Sequence, residues 1–218
     1  MKQIAFPLGS SDAYDASEYI TSSSNSSAYK IISSWPTSWG VEPYSRTLVL
    51  QGPKSSGKTF LARKWAVQSE ALFIKKNHAL SESKLIDRQA FIIDGFDSTW
   101  DEKKVLHYFN AIHENGKYLL INSIWIPKIK LPDLASRIKS SNKVEIGMPD
   151  NELMQMLIFK LFSNYSIVIG SEVIQYLIKV LPREFPEIIN SVKSINEFAL
   201  QHKRKITVPL VKQVLSIV

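Results

Sequence analysis

The chain contains no cysteine. That excludes disulfides and thiolate metal sites and suits a reducing compartment. No stretch approaches the roughly 18–20 consecutive apolar residues that a membrane helix needs. The opening, MKQIAFPLGSSDAYD, has one lysine, a very short apolar stretch and then acids. It therefore lacks the apolar segment of a secretory signal. A cytoplasmic protein with no membrane partner is the expectation. What is present is ordinary for a globular chain: 44% hydrophobic and 22% charged residues over 218 positions. That length holds one good core, or one core and a small appended domain. The net charge of +7 and pI of about 9.4 leave two readings open. The surface contacts a polyanion, including weak contact with duplex DNA, or scattered lysines simply solvate it. The densest basic cluster, QHKRK at 201–205, is short.

A serine-rich stretch, TSSSNSSAYKIISSWP, covers 21–36. By composition it is a linker, but Tyr29, Ile31, Ile32 and Trp35 are interleaved, so part of it packs. Five short apolar runs then read as strands: 47–50, 71–75, 90–94, 117–123 and 143–147. They lack strict alternation, as strands covered on both faces do. Val105, Leu106, Phe109 and Ile112 share a helical face, and Gly116 is placed to end that helix. Alternating strands and helices predict a mostly parallel α/β sheet flanked by helices. After 149 the pattern turns helical. Asp150 caps a helix carrying Leu153, Met156, Leu157 and Leu161. Ser171 caps another, running to Val180 and stopped by Pro182. A third spans about 186–200, and Thr207 with Pro209 starts a last short one. The expected division is a tail at 1–20, an α/β domain at 21–149 and a small all-α domain at 150–218.

The sequence Gly52-Pro53-Lys54-Ser55-Ser56-Gly57-Lys58-Thr59 satisfies the pattern of a phosphate loop between a strand and a helix. Its glycines let successive N–H groups turn inward on phosphate oxygens, and the lysine adds charge at the β and γ positions. Thr59 offers a hydroxyl to Mg²⁺. Asp94, ending the apolar run AFIID, is the matching metal partner, against the plainer reading of a turn aspartate. Many ATPases place a second acid next to that aspartate. Here Gly95 stands there, and Asp97 either reaches from the turn or caps a helix.

Three further stretches carry a resemblance to the AAA+ replication initiators of the DnaA family, and in particular to their short Hda-type members. QIAFPL at 3–8 looks like a clamp-binding peptide, through Gln3, Ile4, Phe6, Pro7 and Leu8. LPDLASRI at 131–138 looks like the arginine-finger segment, with Arg137 as the finger. KRKITVPLVKQVL at 203–215 looks like the last helix of the lid. The resemblance implies a five-stranded parallel P-loop AAA+ domain followed by a helical lid. It implies bound ADP or ATP with Mg²⁺, and the sliding clamp, the initiator DnaA and a homo-oligomer as partners. It also implies the Hda layout, without the front domain and DNA-reading domain of DnaA. Asn25 with Ala28 resembles the adenine-side segment, and Asn122 the first sensor. Two positions depart from the family. Ile124 and Trp125 replace polar residues after the sensor strand. Pro186 stands at the second sensor arginine, with Arg183 one turn earlier as a substitute.

The nucleotide then has three candidate uses. A small-molecule kinase needs the loop but not the finger segment or the lid ending. A shortened initiator would use the basic surface to load on DNA. An Hda-like adaptor would use the nucleotide as a conformational signal, with weak hydrolysis of its own.

Overall fold

The computed structural model describes residues 19–37, 39–40, 42–76, 85 and 87–216. The clamp-like segment at 3–8 lies outside them, as does nearly all of the tail drawn to residue 20. The strands are β1 (Thr47–Gln51), β2 (Leu72–Ile74), β3 (Ala90–Ile93), β4 (Tyr118–Ser123) and β5 (Asn142–Glu145). They form one parallel sheet in the order β2-β3-β4-β1-β5. β5 starts and ends earlier than its apolar run: past Glu145 the chain keeps one bond to β1 and then turns to the segment before α1. There the Ile146 N–H donates to Gln51 O at 2.8 Å and the Gly147 N–H to Ser24 O at 2.8 Å.

Side chains alternate across the sheet, so each run divides between two cores. On one face Val49, Phe91, Ile93, Leu119 and Ile121 meet α3 (Glu102–Glu114) and α4 (Pro132–Ser140). On the other, Leu48, Leu50, Ile92 and Leu120 meet α1 (Ser26–Ser33) and α2 (Lys58–Ser69), with Trp65 fully buried. Helix α1 corrects the linker reading of 21–36: Ala28 and Ile32 bury one face of it among the serines. Asp101 caps α3 by accepting from the Lys103 and Lys104 N–H groups. Gly116, at φ +63°, turns the chain out of that helix into β4.

Four helices complete the described chain: α5 (Asn151–Ser163), α6 (Ser171–Val180), α7 (Phe185–Gln201) and α8 (Val208–Leu215). They close on a separate core that includes Met154, Ile158, Phe162, Leu177, Ile188 and Leu210. One expectation needs correction here. Ser171 is the first residue of α6 and not its cap; Gly170 holds that position and has no side chain to offer. On α5, Leu153 is buried and Leu157 and Leu161 are half-buried against the same core. The deepest stripe is Met154, Ile158 and Phe162.

Asp150 joins the two cores. Its Oδ1 accepts the Leu153 N–H at 2.7 Å and caps α5, while its Oδ2 accepts the Ser23 hydroxyl at 2.8 Å and the Ser24 N–H at 3.2 Å. Burial alone would raise its pKa. The hydrogen bonds from Leu153, Ser23 and Ser24 outweigh burial and hold the carboxyl below the usual carboxylate range. A depressed pKa means that the unfolded chain takes up the proton first as pH falls. Asp150 thus adds stability that is full above the unfolded value of about 3.9 and lost as pH drops through the lower folded value. We expect Asp150→Ala to destabilise the protein by about 1 kcal/mol at pH 7. In urea melts, the gap between variant and wild type should narrow as pH falls below about 4.

Candidate nucleotide site

The loop between β1 and α2 runs along the C-terminal edge of the sheet. Its first glycine lies against the chain leaving β5: a Cβ on Gly52 would stand 2.9 Å from Ile146 Cβ. Gly57 adopts φ +91°, and a Cβ there would meet the Tyr19 ring at 2.8 Å. Both positions therefore require glycine, one for close approach and one for a left-handed backbone. Between them Pro53, Lys54, Ser55 and Ser56 form the turn, with Ser56 buried and Lys54 and Ser55 exposed.

Lys58 opens α2 and folds back over the loop. Its Nζ donates to Gly52 O at 2.8 Å and Pro53 O at 2.6 Å. Partial burial lowers its pKa from the ordinary lysine value, and the charge of Asp94 opposes that shift. Asp94 follows the last residue of β3. Its Oδ1 accepts the Thr59 hydroxyl at 3.3 Å and the Asn122 amide at 2.9 Å. The same Asn122 amide donates to Lys58 O at 3.2 Å. Asn122 thus ties β4 to both β3 and the start of α2, and its own Oδ1 is buried with no partner among the described residues.

The residues present fit a nucleotide with Mg²⁺. The loop needs glycine where a polyphosphate would approach the backbone. Thr59 and Asp94 offer hard oxygen donors side by side, beside an orphaned amide oxygen. Mg²⁺ characteristically takes only one or two protein oxygens and completes its shell with phosphate and water. Thr59 and Asp94 would hold the Mg²⁺, which would supply positive charge against the phosphates.

Beside the loop lies a cavity of about 200 Å³, smaller than the roughly 300–1,000 Å³ of drug-sized ligand pockets. The α/β side supplies Tyr19, Ile20, Asn25, Phe60 and the loop residues Ser55, Ser56 and Gly57; the helical side supplies Leu153, Leu157, Lys160, Leu161, Asn164 and Phe185. Tyr19 stacks on Phe60 with centroids 5.5 Å apart and on Tyr29 at 5.6 Å. Burial pushes the Tyr19 phenol well above its ordinary value, with Asn25 pulling the other way. Asn25 donates to Ile20 O at 2.9 Å and accepts the Ser22 N–H at 2.8 Å, so it shapes this wall. Tyr19, Phe60, Lys160 and Phe185 were not singled out in the sequence. Leu157 and Leu161 were, as apolar positions of a helix and without a role at the site.

Three expected site residues lie apart from this cavity. Arg183 donates to Pro149 O at 3.2 Å and Asn151 Oδ1 at 2.6 Å, and so braces the entry to α5 instead of facing the loop. Asp97 accepts from the Thr99 N–H and hydroxyl and pairs with Lys76 at 3.8 Å. Those Thr99 bonds lower its pKa. Arg137, in the last turn of α4, donates from NH1 to Tyr44 Oη at 3.0 Å. Tyr44 precedes β1, whereas the loop follows it, so Arg137 sits at the opposite edge of the sheet from its own loop. Five residues of strand, at about 3.3 Å each, separate the two edges.

The described residues thus form a five-stranded parallel sheet with a phosphate-loop turn after its first strand and four helices beyond its last. Residues 152–215 match the family model of the Hda lid domain. An uncharacterized protein of Haemophilus influenzae is 26% identical over 186 residues, which is 76% of this chain and 80% of that one. The chromosomal replication initiator protein DnaA of Thermomicrobium roseum is 27% identical over 135 residues, 60% of this chain but 28% of the initiator. Domain III of the Thermotoga maritima replication initiation protein DnaA superposes with a TM-score of 0.71 at 15% identity, over 93% of this chain and 95% of that domain. AMPPCP-bound DnaA from Aquifex aeolicus gives a TM-score of 0.66 at 18% identity, over 87% and 67%. At those identities the solved structures speak for the fold alone. Taken together, the described chain has the fold of DnaA domain III, and its residues 152–215 are similar to the Hda lid domain. No described helix is long and apolar enough to cross a membrane.

Replacing Asn122 by alanine removes a hydrogen bond to the charged Asp94 carboxylate and a second donor from Lys58 O, which keeps its partner within the helix. We expect a loss of about 1–3 kcal/mol in chemical denaturation at neutral pH.

Proposed function

We propose that the chain is an adenine-nucleotide-binding regulator of replication initiation. It docks on the sliding clamp through residues 3–8 and on a DnaA-type initiator through the edge that carries Arg137, and it stimulates hydrolysis by that initiator. The observation that carries this reading is the placement of Arg137. Held by Tyr44 across the sheet from its own loop, its guanidinium serves a nucleotide on a neighbouring subunit and not its own. A guanidinium supplied in this way stabilises the charge that develops in phosphoryl transfer. A homo-oligomer would use the same edge.

The protein's own turnover is weak in this reading. Gly95 stands where many ATPases carry a second acid, and its φ of +75° favours glycine although open space surrounds it. Asp97 is engaged by Thr99 and Lys76. Pro186 brings no charge to the start of α7. The nucleotide, ADP or ATP with Mg²⁺ on Thr59 and Asp94, then acts by favouring one lid position over others. A small-molecule kinase loses ground because the lid matches a replication family. A DNA-binding initiation factor is favoured by the +7 charge and by the likeness to an initiator bound to AMPPCP and single-stranded DNA. That alternative predicts tight duplex binding with a steep salt dependence.

Arg137→Ala should leave nucleotide binding intact and reduce stimulation of the initiator on the order of 10³-fold in a single-turnover assay. Unchanged stimulation would reject the finger assignment. Lys58→Ala should weaken ADP binding by calorimetry, since it removes the charge over the loop. A chain lacking residues 1–9 should no longer be retained on immobilised clamp; equal retention would reject the peptide role.

A further inference from the structure

The Arg137 guanidinium is held at one point. Its NH1 donates to Tyr44 Oη at 3.0 Å. Its Nε–H is buried and has no partner among the described residues. No carboxylate pairs with it among the described residues either. A part-buried cation with one neutral acceptor keeps its full charge and gains from meeting an anion. A carboxylate in the same place would give direction too, but it would cancel the charge.

Tyr44 is itself fixed from two sides. Its carbonyl accepts the Thr47 N–H at 3.0 Å, which ties the residue to the start of β1. Its ring meets Phe109 nearly edge-on, with centroids 5.4 Å apart and planes at 74°, and leans on His113 at 5.0 Å and 50°. Both partners lie on α3, and Phe109 is fully buried. The hydroxyl therefore stands where β1 and α3 put it, while Arg137 arrives from α4. A free arginine samples many rotamers, and that freedom is lost when it engages a ligand.

We infer that Tyr44 is a positioning residue for the finger: its hydroxyl pre-orders the Arg137 guanidinium at the edge of the sheet without neutralising it. This rests on the finger reading above. An ordered guanidinium meets the charge of phosphoryl transfer without first giving up its own freedom. The hydroxyl acts through Arg137 alone, so its removal slows the stimulated reaction and leaves docking unchanged.

The test compares Tyr44→Phe, Tyr44→Leu and Arg137→Ala with wild type in the full chain. Each protein is titrated to saturation against ATP-loaded DnaA while ATP hydrolysis is followed. Phenylalanine keeps the ring against Phe109 and His113 and removes only the hydroxyl; leucine removes both. We expect Tyr44→Phe to lower the maximal stimulated rate about tenfold, with the half-saturating concentration within about twofold of wild type. Its melting temperature should stay within a few degrees of wild type. Tyr44→Leu should lose at least as much rate and melt lower. A Tyr44→Phe protein that stimulates like wild type would overturn the inference. So would a loss confined to the half-saturating concentration, since the residue would then shape a docking surface. Arg137→Ala separates this claim from the reading beneath it. If it abolishes stimulation while Tyr44→Phe is unimpaired, only the role of Tyr44 falls. If Arg137→Ala stimulates normally, the finger falls and the role of Tyr44 with it.

Discussion

One ammonium group bent back over a turn of backbone organises the site. Lys58 Nζ bonds the carbonyls of Gly52 and Pro53 and so fixes the curl of the loop. That curl is possible because Gly52 lies against Ile146 and Gly57 takes a left-handed backbone beneath Tyr19. Each of these neighbours comes from a distant part of the chain. The loop therefore forms only when β5 and the segment before α1 are in place. Partial burial makes the lysine's charge less favourable, which leaves it ready to exchange carbonyl dipoles for an anion.

The second constraint is how the helical subdomain is joined to the sheet. Asp150 reaches from the start of α5 to Ser23 and Ser24, and Arg183 bonds Pro149 and Asn151 beside it. The joint is therefore polar and made of a few directional bonds, while each side keeps its own apolar core. The cavity lies between those cores, with one wall from each. A ligand bridging the walls acts on the angle of the joint without disturbing either core. That is the physical basis for reading the nucleotide as a signal.

Much of the fold was legible in the sequence because burial on both faces leaves continuous apolar runs. Four of the five strands lie where Val, Ile, Leu and Phe cluster, while β5 is an edge strand with Val144 as its one apolar residue, and the phosphate-loop pattern marks the turn after the first strand. Helix α1 was obscured by serine, whose weak preference is overridden once Ala28 and Ile32 find the sheet. Helix α5 is apolar on two sides, one for the lid core and one that also lines the cavity, and periodicity alone cannot say which is which. Tyr19 was hidden for a different reason. It joins the site through stacking on Phe60 and Tyr29, contacts that no local spacing encodes. Arg183 was placed one helical turn from where an arginine was wanted, but spacing does not report that Asn151 would claim it first.

The central claim is that loop and lid together hold an adenine nucleotide. It is tested most directly by calorimetric titration of ADP with Mg²⁺ into nucleotide-stripped protein. The account predicts saturable binding of one nucleotide per chain at micromolar affinity or better, about −8 kcal/mol. Absence of saturable heat up to about 1 mM, equivalent to about −4 kcal/mol, would contradict it.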